Sequence, residues 1–236
     1  MSANSTLSNE IAIELRTQIL TGALHQGDRL PSERDLSARF QASRGAVREA
    51  LSQLEQLGLI NIQLGGARVR ALNEARIAVL GPLMEASATP QPRLIDQFLQ
   101  TFGALAVLTA EEAVANADHD ELIRMQEIVV SLDSKAGDFV AQQECWRDFF
   151  QTLTEVANNL VVQLIGNDLK AQFVDSVTKL GIQPTFRKQV MNKILTGLKQ
   201  GLETRDKGKT AAAVSLYFEE LGLSMHQALT EQKQAS

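Results

Sequence analysis

Beyond residue 92 the apolar residues recur at intervals of three and four, and this spacing limits the fold more than any other feature. Such a period is typical of amphipathic helices, whereas strands would alternate every second residue. Short breaks rich in Asp, Asn, Ser, Gly or Pro separate the periodic segments, which are 94–105, 122–132, 139–153, 164–180, 190–202 and 214–229. We therefore expect an antiparallel helical bundle in the second half of the chain.

The first 73 residues carry a different pattern, in which three short helices precede two strands. Ser32 and Ser43 can cap the second and third helices, which are separated by about three residues. Short strands lie on either side of Gly65 and Gly66, a pair suited to a hairpin turn. Two helices joined by a short turn and followed by a hairpin predict a winged helix-turn-helix.

Gly81 and three prolines between residues 74 and 92 interrupt both patterns and indicate a connector. The expected fold class is therefore mainly α. The predicted organisation is a winged helix-turn-helix DNA-binding domain at 1–73, a linker at 74–92 and an all-helical effector-binding and dimerisation domain at 93–236.

Charge is distributed unevenly along the chain. The net charge is −5, but residues 1–73 hold eight arginines, no lysine and seven acids, for a net charge of +1. The acidic surplus belongs to the second half, so the overall charge does not exclude DNA binding by the first. The basic residues that indicate a local basic face are Arg34, Arg39, Arg44, Arg48, Arg68 and Arg70.

Several function classes find little support. No apolar run reaches the roughly 18 residues of a membrane span, and no basic start precedes an apolar stretch, so we expect a cytoplasmic protein without a membrane partner. The single Cys145 cannot form an internal disulfide and is expected to be a packed thiol. The alternative from another class is an enzyme, for example a helical hydrolase using Cys145 or His226, but no nucleophile has an evident base and orienting acid. We expect no cofactor.

Arg44 and Arg48 are four residues apart in the third helix and therefore project from one face. An arginine fork matches the two acceptors of a guanine edge or a phosphate, which suits the start of a recognition helix. Gly45 and Ala46 keep the helix start slim enough for close approach. The alternative is that both arginines face solvent or pair with nearby glutamates.

Three ordered strings occur at fixed spacing: Gly22 and Gly27 before Leu30-Pro31-Ser32-Glu33-Arg34-Asp35-Leu36, then Ser43-Arg44-Gly45-Ala46-Val47-Arg48-Glu49-Ala50-Leu51, then Leu54, Leu57, Gly58, Leu59 and Ile60. Over residues 9–72 the chain resembles the DNA-binding domain of the GntR family of bacterial regulators. The resemblance implies that three arginines contact DNA, that small residues beside the middle arginine approach bases, and that a wing-tip glycine enters the minor groove. The predicted DNA-binding residues are Arg34, Ser43, Arg44, Gly45, Ala46, Arg48, Gly65, Gly66 and Arg68.

Over about residues 92–230 the chain is similar to the all-helical effector domain of the FadR subgroup of that family. The similarity lies in 149–159, in 164–173 and in the last helix, with Tyr217, Glu220, Gly222 and His226. Many members of the subgroup bind a metal through an Asp and a His four residues apart and two further histidines. Here that pair falls at Trp146 and Phe150, and the histidines show no ligand spacing, so we expect no metal.

Aromatic residues at these two positions predict an apolar interior, which suits an effector with a hydrocarbon part. The nearest resemblance is to the fatty-acid-responsive branch of the subgroup, which binds acyl-coenzyme A and lacks the metal. The predicted effector-binding residues, each of which can alternatively belong to the core, are Phe102, Trp146, Phe150, Phe173, Tyr217, Gly222 and Met225.

The leading hypothesis is a transcriptional regulator that acts as a homodimer on double-stranded DNA with an inverted-repeat operator. A small-molecule effector, such as acyl-coenzyme A or a fatty acid, would control its binding to DNA. One alternative is a GntR-type regulator that responds to a small carboxylate metabolite. Another is a non-DNA interaction protein, in which the winged helix binds a protein.

Overall fold

The computed structural model of the chain describes residues 3–86, 92–135, 139–179 and 184–235. Side chains are described over 7–86, 92–135, 141–171 and 184–231. The chain divides into two compact units, residues 1–90 and 91–236. The predicted fold class is confirmed: the described part of the first unit holds four α-helices and a two-stranded wing, and the described part of the second is helical.

Short helices with polar caps build the first unit. Its elements are helices α1 Ala3–Leu20, α2 Glu33–Phe40 and α3 Arg44–Gln56, strands β1 Ile60–Gln63 and β2 Gly66–Val69, and helix α4 Leu80–Glu85. The Ser32 hydroxyl accepts the Asp35 amide at 3.2 Å, and the Ser43 hydroxyl accepts the Ala46 amide at 3.1 Å. Both predicted caps are confirmed, and each satisfies a backbone amide that has no partner within its helix.

Antiparallel pairing of β1 and β2 forms the wing, with Ile60 opposite Val69 and Gln63 opposite Gly66. The segment before α2 adds to β2, since the Leu30 amide donates to the Ala67 carbonyl at 2.9 Å. Helices α1 and α3 pack against each other, and apolar residues of the wing complete the core that they form. The fully buried apolar residues of this core include Ile11, Leu15, Leu36, Val47, Leu54 and Ile60.

Part of the predicted linker packs on the first unit. Residues 72–74 and 77–79 form single 3-10 turns, and α4 follows directly. Val79 is almost fully buried in the same apolar core, and the burial of its side chain stabilises the packing of this stretch on the first unit. Gly58 has φ +74°, and a Cβ there would lie 3.0 Å from the Glu74 carbonyl oxygen, so the chain passes close at this point.

Six helices make up the described part of the second unit: α5 Pro92–Asn116, α6 His119–Ser134, α7 Phe139–Ala157, α8 Leu160–Lys179, α9 Lys188–Glu203 and α10 Lys207–Ala235. Five of the six predicted segments lie within these helices, and the segment 164–180 lies in α8 as far as Lys179, after which residue 180 is outside the described residues. A capping box between Asp118 and Glu121 starts α6 at the predicted break. Helix α10 packs against α5 and α9, whereas α7 packs against α5 and α6. The bundle is therefore built around α5 and α10.

Helix α5 is long and apolar enough to cross a membrane when judged by length and composition alone. Nine of its residues are buried, and its neighbours α7 and α10 cover them. Burial in the bundle core therefore explains why α5 is so apolar, since helices buried in the core of a large protein are commonly apolar.

Candidate nucleic-acid interface and effector site

Helix α3 has one buried side and one exposed side. The buried stripe consists of Ala46, Val47, Ala50, Leu51 and Leu54. The exposed residues of its first two turns are Arg44, Gly45, Arg48 and Glu49. Both arginines therefore lie on the solvent side of a helix whose other side is fixed by the core, which is the arrangement required of a recognition helix.

An ion pair joins the starts of α2 and α3. The Arg48 guanidinium donates from Nε to the Glu33 carboxylate at 2.8 Å, and both side chains remain accessible. Arg34, the next residue of α2, is 83% exposed. Because exposed pairs contribute only about 0–1 kcal/mol, Arg48 can exchange Glu33 for a phosphate or a base at little cost. Arg34, Arg44 and Arg48 thus share one end of the helix pair.

The structure corrects the role expected of Ala46. Its side chain is fully buried, and its amide donates to the Ser43 hydroxyl. A methyl group in the core cannot approach a base, so Ala46 acts in packing and capping. Gly45 leaves space at the exposed start of α3, because a Cβ there would meet only the Ser43 hydroxyl, at 3.7 Å.

The wing tip presents an apolar side chain next to open glycine backbone. Leu64 is fully exposed, and a Cβ on Gly65 would meet no atom within 4 Å. Gly66 has φ +106°, and a Cβ there would lie 3.1 Å from Nε of Arg29. The expected glycine pair is therefore at the tip, and Leu64 is an additional candidate contact that was not predicted from the sequence.

Arg68 has a structural contact in addition to its expected role. Its guanidinium donates to the Gly27 carbonyl at 2.9 Å, which ties the segment before α2 to the wing. Arg29 forms a backbone bridge with Arg68 and lies beside Gly66, so it joins the basic surface. Sequence spacing could not identify Arg29, because its proximity to the wing depends on long-range pairing with β2.

Aromatic rings from four segments of the second unit form one cluster, which we call the aromatic cluster. Its members are Phe102 of α5, Trp146 and Phe150 of α7, Phe186 before α9, and Tyr217 and Phe218 of α10. The ring centroids of Trp146 and Tyr217 are 4.2 Å apart, and those of Phe150 and Tyr217 are 5.5 Å apart. These are distances of direct contact between aromatic rings.

The predicted effector residues divide into three groups. Trp146, Phe150 and Tyr217 converge, and Phe102 joins them through Phe218 at 5.7 Å. The side chain of Phe173 lies outside the described residues. The remaining two residues are in α10: Gly222 faces Leu99 of α5, and Met225 is buried.

Burial raises the pKa of the Tyr217 phenol, so this group stays neutral within the cluster. The ring of Phe186 stacks on Tyr217 at 5.3 Å. Phe186 was not predicted, because it lies in a short non-helical segment with no period to mark it. The cluster therefore combines packed aromatic rings with one neutral phenol.

A short segment before α9, residues 184–187, is hydrogen-bonded to α10 beside the aromatic cluster, and we call it the strap. The Thr185 amide donates to the Ser224 hydroxyl, and the Arg187 amide donates to the Glu220 carboxylate at 2.9 Å. The Arg187 side chain forms a two-pronged ion pair with the same carboxylate. Glu220 is buried and Arg187 is largely exposed. In the sequence, only the position of Glu220 among the apolar residues of α10 indicated that this acid needs a basic partner.

Removing the charge of Glu220 should weaken the bundle in a pH-dependent way. Arg187 lowers the pKa of the Glu220 carboxyl in the folded chain, so its stabilisation is complete above the unfolded-state value of about 4.3 and is lost as pH falls through the folded-state value. We expect Glu220→Gln to cost about 1–2 kcal/mol at neutral pH, because Arg187 remains solvated.

Thermal unfolding of both proteins from pH 7 to pH 3 measures this difference. The gap in Tm should narrow as the pH falls below about 4. Glu219→Gln is the matched control, since that carboxylate is exposed and only accepts a bond from Ser215. A gap that stays constant over the whole range would contradict the role given to the ion pair.

Comparison with known proteins agrees with this geometry. Residues 7–69 match the family model of bacterial regulatory proteins, gntR family. The transcriptional repressor NanR of Escherichia coli O127:H6 is 32% identical over 169 residues, which are 69% of this chain and 62% of NanR. The regulator Mce2R of Mycobacterium tuberculosis is 28% identical over 182 residues, or 74% of this chain and 73% of Mce2R. These are names of regulators and not of enzymes, in agreement with the expectation from the sequence.

The fold has a counterpart among solved structures. The Lar protein, which controls expression of the Listeria monocytogenes agr system, superposes with a TM-score of 0.55 at 15% identity, over 96% of this chain and 98% of Lar. That likeness shows a shared fold. The winged helix-turn-helix, residues 7–69, thus matches the gntR family of bacterial regulatory proteins, and over about 70% of its length the chain is similar to two transcriptional regulators.

Proposed function

We propose that the chain is a sequence-specific, DNA-binding transcriptional regulator that works in the cytoplasm and responds to a small molecule. The observation that carries this proposal is the exposed arginine set at the joined ends of α2 and α3 in a gntR-family domain: Arg34, Arg44 and Arg48. Such a set can reach base edges and phosphates of a major groove together. The repressor name of NanR favours repression as the mode of action.

Gel-shift titration against genomic fragments tests the proposal. Retention should be selective for a few fragments with inverted repeats and should weaken steeply with salt, as phosphate contacts require. Retention that is absent at low salt would favour the alternative in which the winged helix binds a protein.

The wing would contribute through the minor groove. An open glycine backbone at Gly65 allows close approach, and Leu64 offers an apolar surface to sugars or to a base step. Arg29 and Arg68 stand behind the tip on β2 and its neighbour, where they can reach phosphates.

We propose that the chain acts as a homodimer, because a two-fold symmetric dimer matches an inverted-repeat operator, and that the exposed surface of α8 is its interface. Four large apolar side chains are exposed on its first turns: Leu160, Val161, Leu164 and Ile165. Spacings of one, three and four place them side by side in a continuous apolar patch. Pairing of two such patches would cover them, and the solution mass measured by light scattering tests this.

The effector proposal places the chain in the FadR subgroup and gives the effector an apolar part. The aromatic cluster supplies the apolar lining, and its rings contact one another, so a bound chain would have to part them. The strap fastens one side of the cluster through Phe186 and Arg187. Burying a hydrocarbon chain contributes about 0.8 kcal/mol per CH₂, which is enough over eight carbons to shift a two-state regulator.

We expect acyl compounds to change operator binding with an effect that rises with chain length. Short, medium and long acyl-coenzyme A esters and free fatty acids are titrated against the protein–operator complex. Phe150→Asp should abolish the response while leaving DNA binding intact, because the substituted residue lies in the second unit. Phe150→Leu, which keeps the site apolar, is the matched control and should respond.

The alternative effector, a small carboxylate metabolite, has its own support. A cavity of about 550 Å³ lies among α5, the turn before α8 and the start of α10, and it is lined in part by Asn158, Asn159 and Lys207. Lys207 offers an ammonium to the carboxylate of such a metabolite, and Glu111 and Glu112, which also line the cavity, suit its hydroxyl or amino groups. A complex that shifts with such an acid and with no acyl compound would reject the apolar effector and assign the aromatic cluster to the core alone.

A further inference from the structure

A second polar cavity, of about 460 Å³, lies between α6 and α7. We call it the thiol cavity, because the only cysteine of the chain forms part of its wall. Its lining includes Arg124, Glu127, Lys135, Cys145, Asp148 and Thr152. The aromatic cluster uses Trp146 and Phe150 of the same helix, so α7 has an aromatic face and a polar face. The proposed regulator function leaves the polar face unexplained.

Cys145 is paired with a cation. The Lys135 ammonium lies 3.2 Å from the Cys145 sulfur and donates a hydrogen bond to it. That bond raises the pKa of Lys135, so the ammonium stays charged across the physiological range. A neighbouring ammonium is a typical partner of reactive cysteines, since it stabilises the negative charge on sulfur during reaction. The sequence predicted a packed thiol, and Cys145 is indeed buried, but it borders open space.

Thr152 supplies an independent sign of a ligand. Its side chain is fully buried, and within the described part of the chain its hydroxyl has no hydrogen-bond partner. Buried hydroxyls are nearly always paired, so a molecule that enters the cavity and uncovers the Thr152 hydroxyl gains a hydrogen bond with it. Thr152 lies two turns beyond Cys145 on α7, which is about 10 Å along the helix axis.

The reactant must therefore be polar and extended. A peroxide is too small to reach Cys145 and Thr152 together. The lining carries both signs of charge, with Arg124 and Lys135 against Glu127 and Asp148, which suits a zwitterionic molecule better than a simple anion. The volume falls within the range of pockets for small ligands, roughly 300–1,000 Å³.

We propose that Cys145 is a modification site that forms a mixed disulfide with a low-molecular-weight, peptide-like thiol held in the thiol cavity. The Cys145 thiolate attacks one sulfur of the small disulfide, a new S–S bond forms, and the original S–S bond breaks. The second thiol leaves as a thiolate and takes a proton from water. Cys145 is oxidised, the leaving half is reduced, and no further oxidant is required.

Modification would alter the bundle where α7 meets α6. The adduct must displace the Lys135 contact, and the adjacent Trp146 is the only tryptophan of the chain. The fluorescence of this tryptophan therefore reports the reaction without any assay of DNA binding.

The test treats the full-length protein with oxidised glutathione and follows the adduct by intact mass spectrometry, peptide mapping and tryptophan fluorescence. The native protein should take up one glutathione at Cys145 and release it with a reductant. It should react several-fold faster with oxidised glutathione than with 2-hydroxyethyl disulfide, and this preference should vanish in denaturant. Cys145→Ser should take up none.

Two conservative variants test the cavity itself. Thr152→Val keeps the shape and removes the hydroxyl, and it should lower the preference for glutathione while the rate with 2-hydroxyethyl disulfide stays unchanged. Lys135→Met should slow both reagents, and Lys135→Arg should restore part of the rate. A thiol that reacts only in denaturant, or that reacts without preference in the native protein, would overturn the proposal.

Discussion

Replacing Arg44 or Arg48 with alanine is expected to weaken operator binding by about 1–3 kcal/mol, which corresponds to roughly a fivefold to 150-fold loss of affinity. Both side chains are exposed on the first two turns of α3, and the packed opposite side fixes that helix in place. If the lost contact is to a guanine edge, the variant should bind with relaxed specificity at one base position. If the lost contact is to a phosphate, the variant should bind all sequences more weakly by the same factor. Titrations against the operator and one-base variants separate the two roles.

Arg39→Ala is the matched control for these substitutions. It removes the same charge from the same domain, but Arg39 is at the far end of α2 and pairs with Glu14 of α1. Its loss should change affinity little, and circular dichroism should show equal helix content in all three variants. If all three variants lost operator affinity equally, the arginines of α3 would contribute only general electrostatic attraction, and the recognition-helix role would be wrong.

The local sequence was sufficient to predict the first unit because its helices start at polar caps and turn at glycines. Ser32 and Ser43 each bond an amide three residues on, so the helix starts could be placed without any long-range information. Arg29 could not be found in that way, since only pairing with β2 brings it to the wing. Ala46 shows the opposite error, in which a small residue near a recognition surface belongs to the core.

The second unit was predictable in its helices and only partly in its site. The spacing of Trp146 and Phe150 placed them on one face, and Tyr217 meets them there. The strap carries no periodic signal, so neither the ring of Phe186 nor the bond from Arg187 to Glu220 could be deduced. Polar cavities are equally hidden from a single sequence, because they form where several helices happen to leave space.

The tight approach of α9 and α10 gives the second large prediction, a loss of stability from one added methyl group. A Cβ on Gly201 would overlap the Thr210 hydroxyl and lie 2.7 Å from the Thr210 amide nitrogen. That backbone cannot withdraw, because the Thr210 amide donates to Asp206 in the turn that joins the two helices. The helices must therefore separate, and α10 also packs along α5.

Gly201→Ala is expected to destabilise the second unit by about 2 kcal/mol, since overpacking costs about 1–3 kcal/mol or more and better helix propensity returns up to about 1 kcal/mol. Gly166→Ala is the control within the same bundle, because a Cβ there meets no atom within 4 Å. That substitution should raise stability by about 0.5–1 kcal/mol through propensity alone. Thermal scans should separate the two variants by several degrees, as about 2–4 °C accompanies each kcal/mol in a chain of this size. If both variants shifted Tm in the same direction by similar amounts, the close contact between α9 and α10 would be wrong, and helix propensity would be the only term at work.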